Sequence, residues 1–269
     1  MMRRSRTGDR LRRGLVASGT ALFLLVAPMA TVSGASASTG IQHATTFLGT
    51  PTVGPLFPPG SSTHICTASV VTSSSGSLIV TAAHCLLGTG IGWTFAPGYH
   101  DGVSPHGVWT VIGAYVDPTW EMGTSSSADL AVLRVARQKV HGVEKTLQQV
   151  VGSNNVGDAP SIGTKVSIAA YGFGSNDRPK TCTTKVKKSD GALAFDCTPY
   201  PGGTSGAPWL VTGKGHATLV GTISGLHQGG CTPWRSYSVT FGPWVKAVVA
   251  AADAGLKPET LPKPPGDGC

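Results

Sequence analysis

The chain has 269 residues, with 21 Lys and Arg against 13 Asp and Glu and a formal net charge of +8. Six Arg and one Asp lie in residues 1–37, so five of the eight net positive charges belong to that segment and the rest is nearly neutral. Binding to nucleic acid or an anionic membrane needs basic charge clustered on the folded domain, and only residues 178–188 cluster it; Lys185 and Lys187 alternate there as on a solvated strand face, so no nucleic acid is expected as a partner.

The chain begins "MMRRSRTGDRLRR", followed by an apolar segment over 15–30 and the small-residue triplet Ala35-Ser36-Ala37. A basic start, a short apolar stretch and an A-x-A site predict a signal peptide over 1–37, and the apolar stretch is too short for a membrane span. The protein is therefore expected to be secreted and extracellular, with no membrane contact after cleavage. Residues 38–60 are rich in Gly, Pro and Thr and predict an N-terminal arm or a short propeptide. All six cysteines follow residue 37, and an even count in an exported chain argues for disulfides rather than metal thiolates. Neither CxxC nor HExxH occurs, and His100 and His106, six apart in a Gly/Pro-rich loop, do not have metal-ligand spacing. No metal and no cofactor are expected.

Short β-branched runs separated by turn residues recur at 64–71, 78–81, 108–116, 129–135, 165–171, 181–188, 207–211 and 218–224, the pattern of an all-β barrel or sandwich. The 37 glycines, about twice the usual frequency, suit many tight turns. Helical periodicity is clear over 244–252, where Pro243 stands at a favourable helix start. The end, "LKPETLPKPPGDGC", predicts an extended Pro-rich tail over 256–269.

Three stretches carry candidate chemistry. His84 ends the apolar run "LIVTAAHCLL", so a buried strand delivers its imidazole; alone, such a histidine is more often a satisfied core residue. Asp129 opens "DLAVLRV", and a carboxylate entering a core strand costs several kcal/mol unless a cation or imidazole meets it. Asp101 and Asp117 stand beside Gly or Pro in loops and suit solvated turns. Ser205 lies in "PGGTSGAPW", where Gly203 and Gly206 permit a tight loop whose N–H groups converge on one point, although glycines flank serines in ordinary turns as well. An α/β-hydrolase would run Ser, acid, His with G-x-S-x-G. Here Ala207 replaces the second glycine, and no acid lies between Ser205 and His216 or His227. The order His84, Asp129, Ser205 is that of the chymotrypsin type.

Together, "TAAHC", "DLAVLRV" and "GGTSGAPW" resemble the trypsin-like serine peptidases, in particular the secreted bacterial branch that includes glutamyl endopeptidases. The resemblance runs from His64 to Val249 and implies, within residues 61–255, an all-β fold of two perpendicular six-stranded antiparallel β-barrels with a short C-terminal helix and a cleft between the barrels. It implies His84 as general base, Asp129 as its orienting carboxylate and Ser205 as nucleophile. The backbone N–H groups of Gly203 and Ser205 would form the oxyanion hole. Thr204 stands where the animal digestive enzymes have Asp, and their Ile-Val-Gly-Gly start is missing, so activation by a freed ammonium is not expected.

The resemblance also implies a Cys66–Cys85 disulfide pinning the His84 turn. "TCTTKVKKSD" and "ALAFDC" read as hairpin arms that pair Cys182 with Cys197, which leaves Cys231 and Cys269 to pair or stay free. For the primary specificity pocket, Pro199 occupies the position of the tryptic Asp, and Tyr200, Ile223, Ser224 and Leu226 are the expected uncharged lining; His227 reaches it only if its loop folds inward. The expected function is a monomeric secreted serine endopeptidase acting on protein or peptide substrates through an acyl-enzyme. A non-catalytic homologue serving as a binding module, and an esterase on the same scaffold, are the alternatives.

Overall fold

The computed structural model describes residues 40–213 and 215–269, so the expected signal peptide lies outside the described residues. Two short strands, β1 (Gln42–His43) and β2 (Thr45–Thr46), come first. Six strands then close a barrel in the order β3-β4-β5-β8-β7-β6: β3 (Val53–Phe57), β4 (Cys66–Val71), β5 (Leu78–Thr81), β6 (Thr94–Phe95), β7 (Trp109–Val116) and β8 (Ala131–Val135). β3 lies inside the segment expected to be an arm or propeptide, and all five of its residues are buried.

The two-residue period of a strand explains how this barrel packs on both faces. Ile79 and Leu133 point inward with Leu56, Val70, Phe95 and Trp109. Their neighbours Leu78, Val80 and Val132 point outward, where Val245, Val248 and Ala252 of helix α3 (Pro243–Asp253) cover them. Spacings of three and four put those helical residues on one face, and Pro243 at the first turn fits the expected start. Two further short helices, α1 (Pro118–Gly123) and α2 (Leu147–Val151), lie outside the periodic runs and are set by local capping from Asp117 and Thr146.

Hairpin strands β9 (Gln138–Val140) and β10 (Val143–Lys145), then β11 (Asn155–Val156), lead to the second half. There β12 (Lys165–Ala170), β13 (Lys180–Lys185), β14 (Lys187–Ser189), β15 (Ala192–Thr198), β16 (Pro208–Val211), β17 (Thr218–Thr222) and β18 (Arg235–Ser238) surround a core that includes Ile168, Phe195, Trp209 and Val220. This half is not the closed second barrel that the resemblance implies. It is an open sheet, β11-β17-β16-β12-β13-β2, facing a smaller one built on β15.

The ladder breaks because the N-terminal arm occupies both facing edges. β1 runs parallel to β15, and β2 runs antiparallel to β13. The Cys182–Cys197 disulfide joins β13 to β15, and the Thr184 hydroxyl donates to the Asp196 carbonyl at 3.2 Å. The other seam is held by Thr222 N–H on Ser238 Oγ at 3.0 Å and Ser224 N–H on the Tyr237 carbonyl at 3.0 Å. The run expected over 181–188 is broken at buried Val186, and Lys187 is ion-paired to Asp196 rather than solvated on a continuous strand face.

At the end of α3, Asp253 accepts from Ser74 N–H at 2.9 Å and Ser75 N–H at 2.7 Å, tying the helix to the β4–β5 turn. Burial pushes this carboxyl's pKa up, but the backbone donors of Ser75 and Ser74 outweigh it and hold it below the usual carboxylate value. Asp253→Ala should lower the unfolding free energy by about 1–3 kcal/mol, the scale of hydrogen bonds to a charged group. Because the folded pKa is depressed, this contribution is present above about pH 4 and is lost as the pH falls through the folded value. Urea melts of the two proteins should therefore differ at neutral pH and converge in acid.

Candidate active site

β5 ends at Thr81, and the small buried residues Ala82 and Ala83 lead into a single 3₁₀ turn, Ala83–Cys85, that carries His84. Cys85 is bonded to Cys66 at the start of β4, so the turn is fixed on both sides of the imidazole. Asp129 follows a second 3₁₀ turn, Ser126–Ala128, and is 1% exposed.

Three N–H groups meet this buried carboxylate. His84 N–H donates to Oδ1 at 2.9 Å, Gly225 N–H donates to Oδ2 at 2.9 Å, and His84 Nδ1 lies 2.7 Å from Oδ2. A buried charge without such partners would be strongly unfavourable; with them it fixes the ring's tautomer. A carboxylate only accepts, so the proton sits on Nδ1 and Nε2 presents its lone pair.

The Ser205 loop is held from within and from outside. Thr204 donates to the Pro201 carbonyl through N–H at 3.3 Å and Oγ1 at 2.7 Å. Thr67 N–H donates to the Ser205 carbonyl at 2.8 Å, and Gly206 N–H to the Ile223 carbonyl at 2.7 Å. The N–H groups of Gly203 and Ser205 have no acceptor among the described residues. Ser205 Oγ lies 3.5 Å from the Gln228 carbonyl, to which it donates.

Ser205 lines a cavity of about 320 Å³ with Tyr200, Ile223, Gln228, Thr232 and Ser236 among its walls, and none of its lining residues is charged. Tyr200 and Ile223 are among this lining, whereas Pro199, Ser224, Leu226 and His227 are not. Ser224 Oγ turns to Thr222 Oγ1 at 2.9 Å, and Leu226 borders a different cavity with Ser126 and Asp190. His227 Nδ1 lies 3.0 Å from the Asp267 carbonyl, drawn to the C-terminal tail by the Cys231–Cys269 disulfide. Gln228 lines the cavity, its carbonyl facing Ser205 Oγ and its side-chain amide donating to the Pro265 carbonyl of the tail. Gly225, Gly229 and Gly230, all at positive φ, allow the turn that puts it there, and that glycine spacing was the available sequence signal.

Arg235, next to the cavity residue Ser236, is turned to Asp196 at 2.9 Å. His227, Cys231 and Cys269 have ligand atoms within 4.8 Å of one another, but both sulfurs are in the disulfide, leaving the imidazole as sole donor. Among the described residues, no helix is long and apolar enough to cross a membrane.

A buried carboxylate held on an imidazole, and a serine in a loop with two N–H groups that have no acceptor among the described residues, fit the class of chymotrypsin-fold hydrolases. Residues 49–239 match the family model Trypsin, so the chain belongs to the trypsin family and is a serine endopeptidase. No curated protein sequence matches it. Among solved structures, it is similar to the protease Anisep from Arthrobacter nicotinovorans, at 23% identity and TM-score 0.66 over 78% of this chain and 99% of that one. It is similar also to the thermostable serine protease AL20 from an extremophilic microorganism, at 24% identity and TM-score 0.64 over 76% and 98%. A Glu endopeptidase in complex with MPD matches at 17% identity and TM-score 0.59 over 80% and 98%.

A Cβ on Gly206 would lie 2.2 Å from both the Thr67 carbonyl oxygen and Thr81 Oγ1, and its φ is +79°. Gly206→Ala should therefore lower the melting temperature by several degrees, the strain outweighing the ~1 kcal/mol by which a strain-free Gly→Ala change stabilises. Unchanged thermal unfolding would show that the loop has room to relax.

Proposed function

We propose that the protein is a secreted serine endopeptidase that cleaves peptide bonds through an acyl-enzyme formed on Ser205. The observation that carries this reading is the imidazole of His84, fixed by Asp129 at 2.7 Å so that Nε2 is left to accept a proton. Rotation about the Ser205 side chain takes Oγ from the Gln228 carbonyl towards Nε2. The hydroxyl then attacks the substrate carbonyl as its proton passes to His84, and the N–H groups of Gly203 and Ser205 receive the oxyanion. His84 returns the proton to the leaving amine, and water repeats the sequence in deacylation. Throughout, Asp129 stabilises the imidazolium without taking its proton.

Secretion is favoured by the three disulfides, which suit an oxidising compartment, and by the leader sequence. Thr204 satisfies itself on Pro201, so the loop has no buried charge awaiting an N-terminal ammonium. Ser205→Ala and His84→Ala should each lower kcat by several orders of magnitude with the melting temperature retained, and Asp129→Asn should be severe through the wrong tautomer. Wild-type turnover by purified Ser205→Ala would contradict the assignment.

The uncharged cavity beside Ser205 supports cleavage after uncharged, apolar residues. Arg235, one residue before the cavity residue Ser236, is engaged with Asp196, which Lys187 also meets. Selection by apolar contacts is modest, ~10 to 200-fold per methylene. A positional-scanning peptide library should show a broad apolar preference, and dominant cleavage after Arg, Lys or Glu would contradict it.

A further inference from the structure

His64 is wholly buried and has no part in the steps above. Its Nε2 lies 2.7 Å from Asp177 Oδ1, and its Nδ1 is buried without a partner among the described residues. Three aromatic rings, Phe57, Tyr99 and Tyr171, stand edge-on around it with centroids 5.3, 5.7 and 5.8 Å away. As a filler of that apolar cage, a hydrocarbon side chain would be the more favourable choice, because it leaves no buried nitrogen unpaired. What the imidazole adds is a fixed direction for Asp177.

That direction matters for the backbone which Asp177 closes. His64 and Gly174 exchange backbone hydrogen bonds, N–H to carbonyl, at 2.9 and 3.3 Å. The Asp177 carboxylate folds back on the same glycine, so close that a Cβ on Gly174 would lie 2.9 Å from Oδ2. One residue earlier, Phe173 N–H donates to the Gly202 carbonyl at 2.9 Å. Gly203 then packs its Cα against that same peptide, for a Cβ there would lie 2.2 Å from Phe173 N. Gly172, Gly174, Gly202 and Gly203 have no side chains to hold this contact, so its geometry must be set from outside.

We propose that the His64–Asp177 pair is a positioning clamp for the oxyanion donor Gly203: it fixes segment 172–177, and that segment fixes the Gly202–Gly203 peptide. The proposal rests on the site reading above, in which Gly203 N–H receives the oxyanion. Loss of the clamp lets that peptide rotate and weakens binding of a tetrahedral adduct, while binding of the ground-state substrate is untouched.

The test compares His64→Leu, which fills the cage without a donor, His64→Gln, which keeps a donor facing Asp177, and Asp177→Ala. Each is assayed for kcat and KM on a peptide anilide. Each is also assayed for inhibition by a peptide aldehyde, which forms an oxyanion adduct, and by the matching peptide amide, which does not. Asp177→Ala and His64→Leu should lower kcat about 10 to 100-fold with KM little changed. The aldehyde should weaken by a similar factor and the amide not at all, and His64→Gln should recover most of both. Asp177 is one-third exposed, so its truncation leaves the core packed and decides the matter if His64→Leu does not fold. A folded Asp177→Ala protein with unchanged kcat and aldehyde affinity overturns the clamp. So does a parallel loss of amide and aldehyde binding, which marks a merely structural pair. Ser205→Ala is the control: undiminished aldehyde affinity there overturns the site reading and the clamp with it, whereas lost affinity there with an unaffected Asp177→Ala overturns the clamp alone.

Discussion

The buried carboxylate of Asp129 is the constraint on which the two halves of the molecule depend. A charge that is 1% exposed must be met by donors, and the chain supplies them from both sides: His84 from the closed barrel and Gly225 from the loop after β17. The Gly225 hydrogen bond therefore registers one half against the other, while the two from His84 orient the imidazole on the same carboxylate. Breaking one partner of such a group leaves an uncompensated buried charge, which is far less favourable than losing an exposed pair. Stability and orientation of the His84 imidazole thus share one carboxylate.

A second set of restraints converges from three residues within the stretch 64–67. His64 bridges to Gly174, Cys66 holds Cys85 beside His84, and Thr67 N–H supports the Ser205 carbonyl. The Thr67 hydroxyl also receives Tyr171 N–H at 2.9 Å. One strand entry consequently touches the His84 turn, the Ser205 loop and the wall behind Gly203. This accounts for a site assembled from residues more than a hundred positions apart that is nonetheless set on rigid elements rather than on free loops.

Much of this was legible in the chain. Short β-branched runs between turn residues marked β5, β7 and β8, and helical periodicity after Pro243 marked α3, because those signals are local. Asp129 was legible because an acid at the head of a core strand demands a partner. The arm strands β1 and β2 were not, since two-residue pairings carry no periodicity and exist only because β13 and β15 offer edges. The open second half follows from the same non-local event. His64 read as part of a strand, and nothing in sequence placed Asp177, 113 residues later, against it. His227 stays out of the cavity lining and faces the tail, to which the Cys231–Cys269 bond ties its loop, a restraint whose geometry no spacing reveals.

The central claim is that Ser205 is activated by His84 under the control of Asp129. The most direct measurement is reaction of the folded protein with a serine-directed phosphonofluoridate, followed by peptide mapping. The account predicts one label per chain, on Ser205, that disappears when the protein is denatured first or carries His84→Ala. A label on another serine, or undiminished labelling of Ser205 without His84, would contradict it.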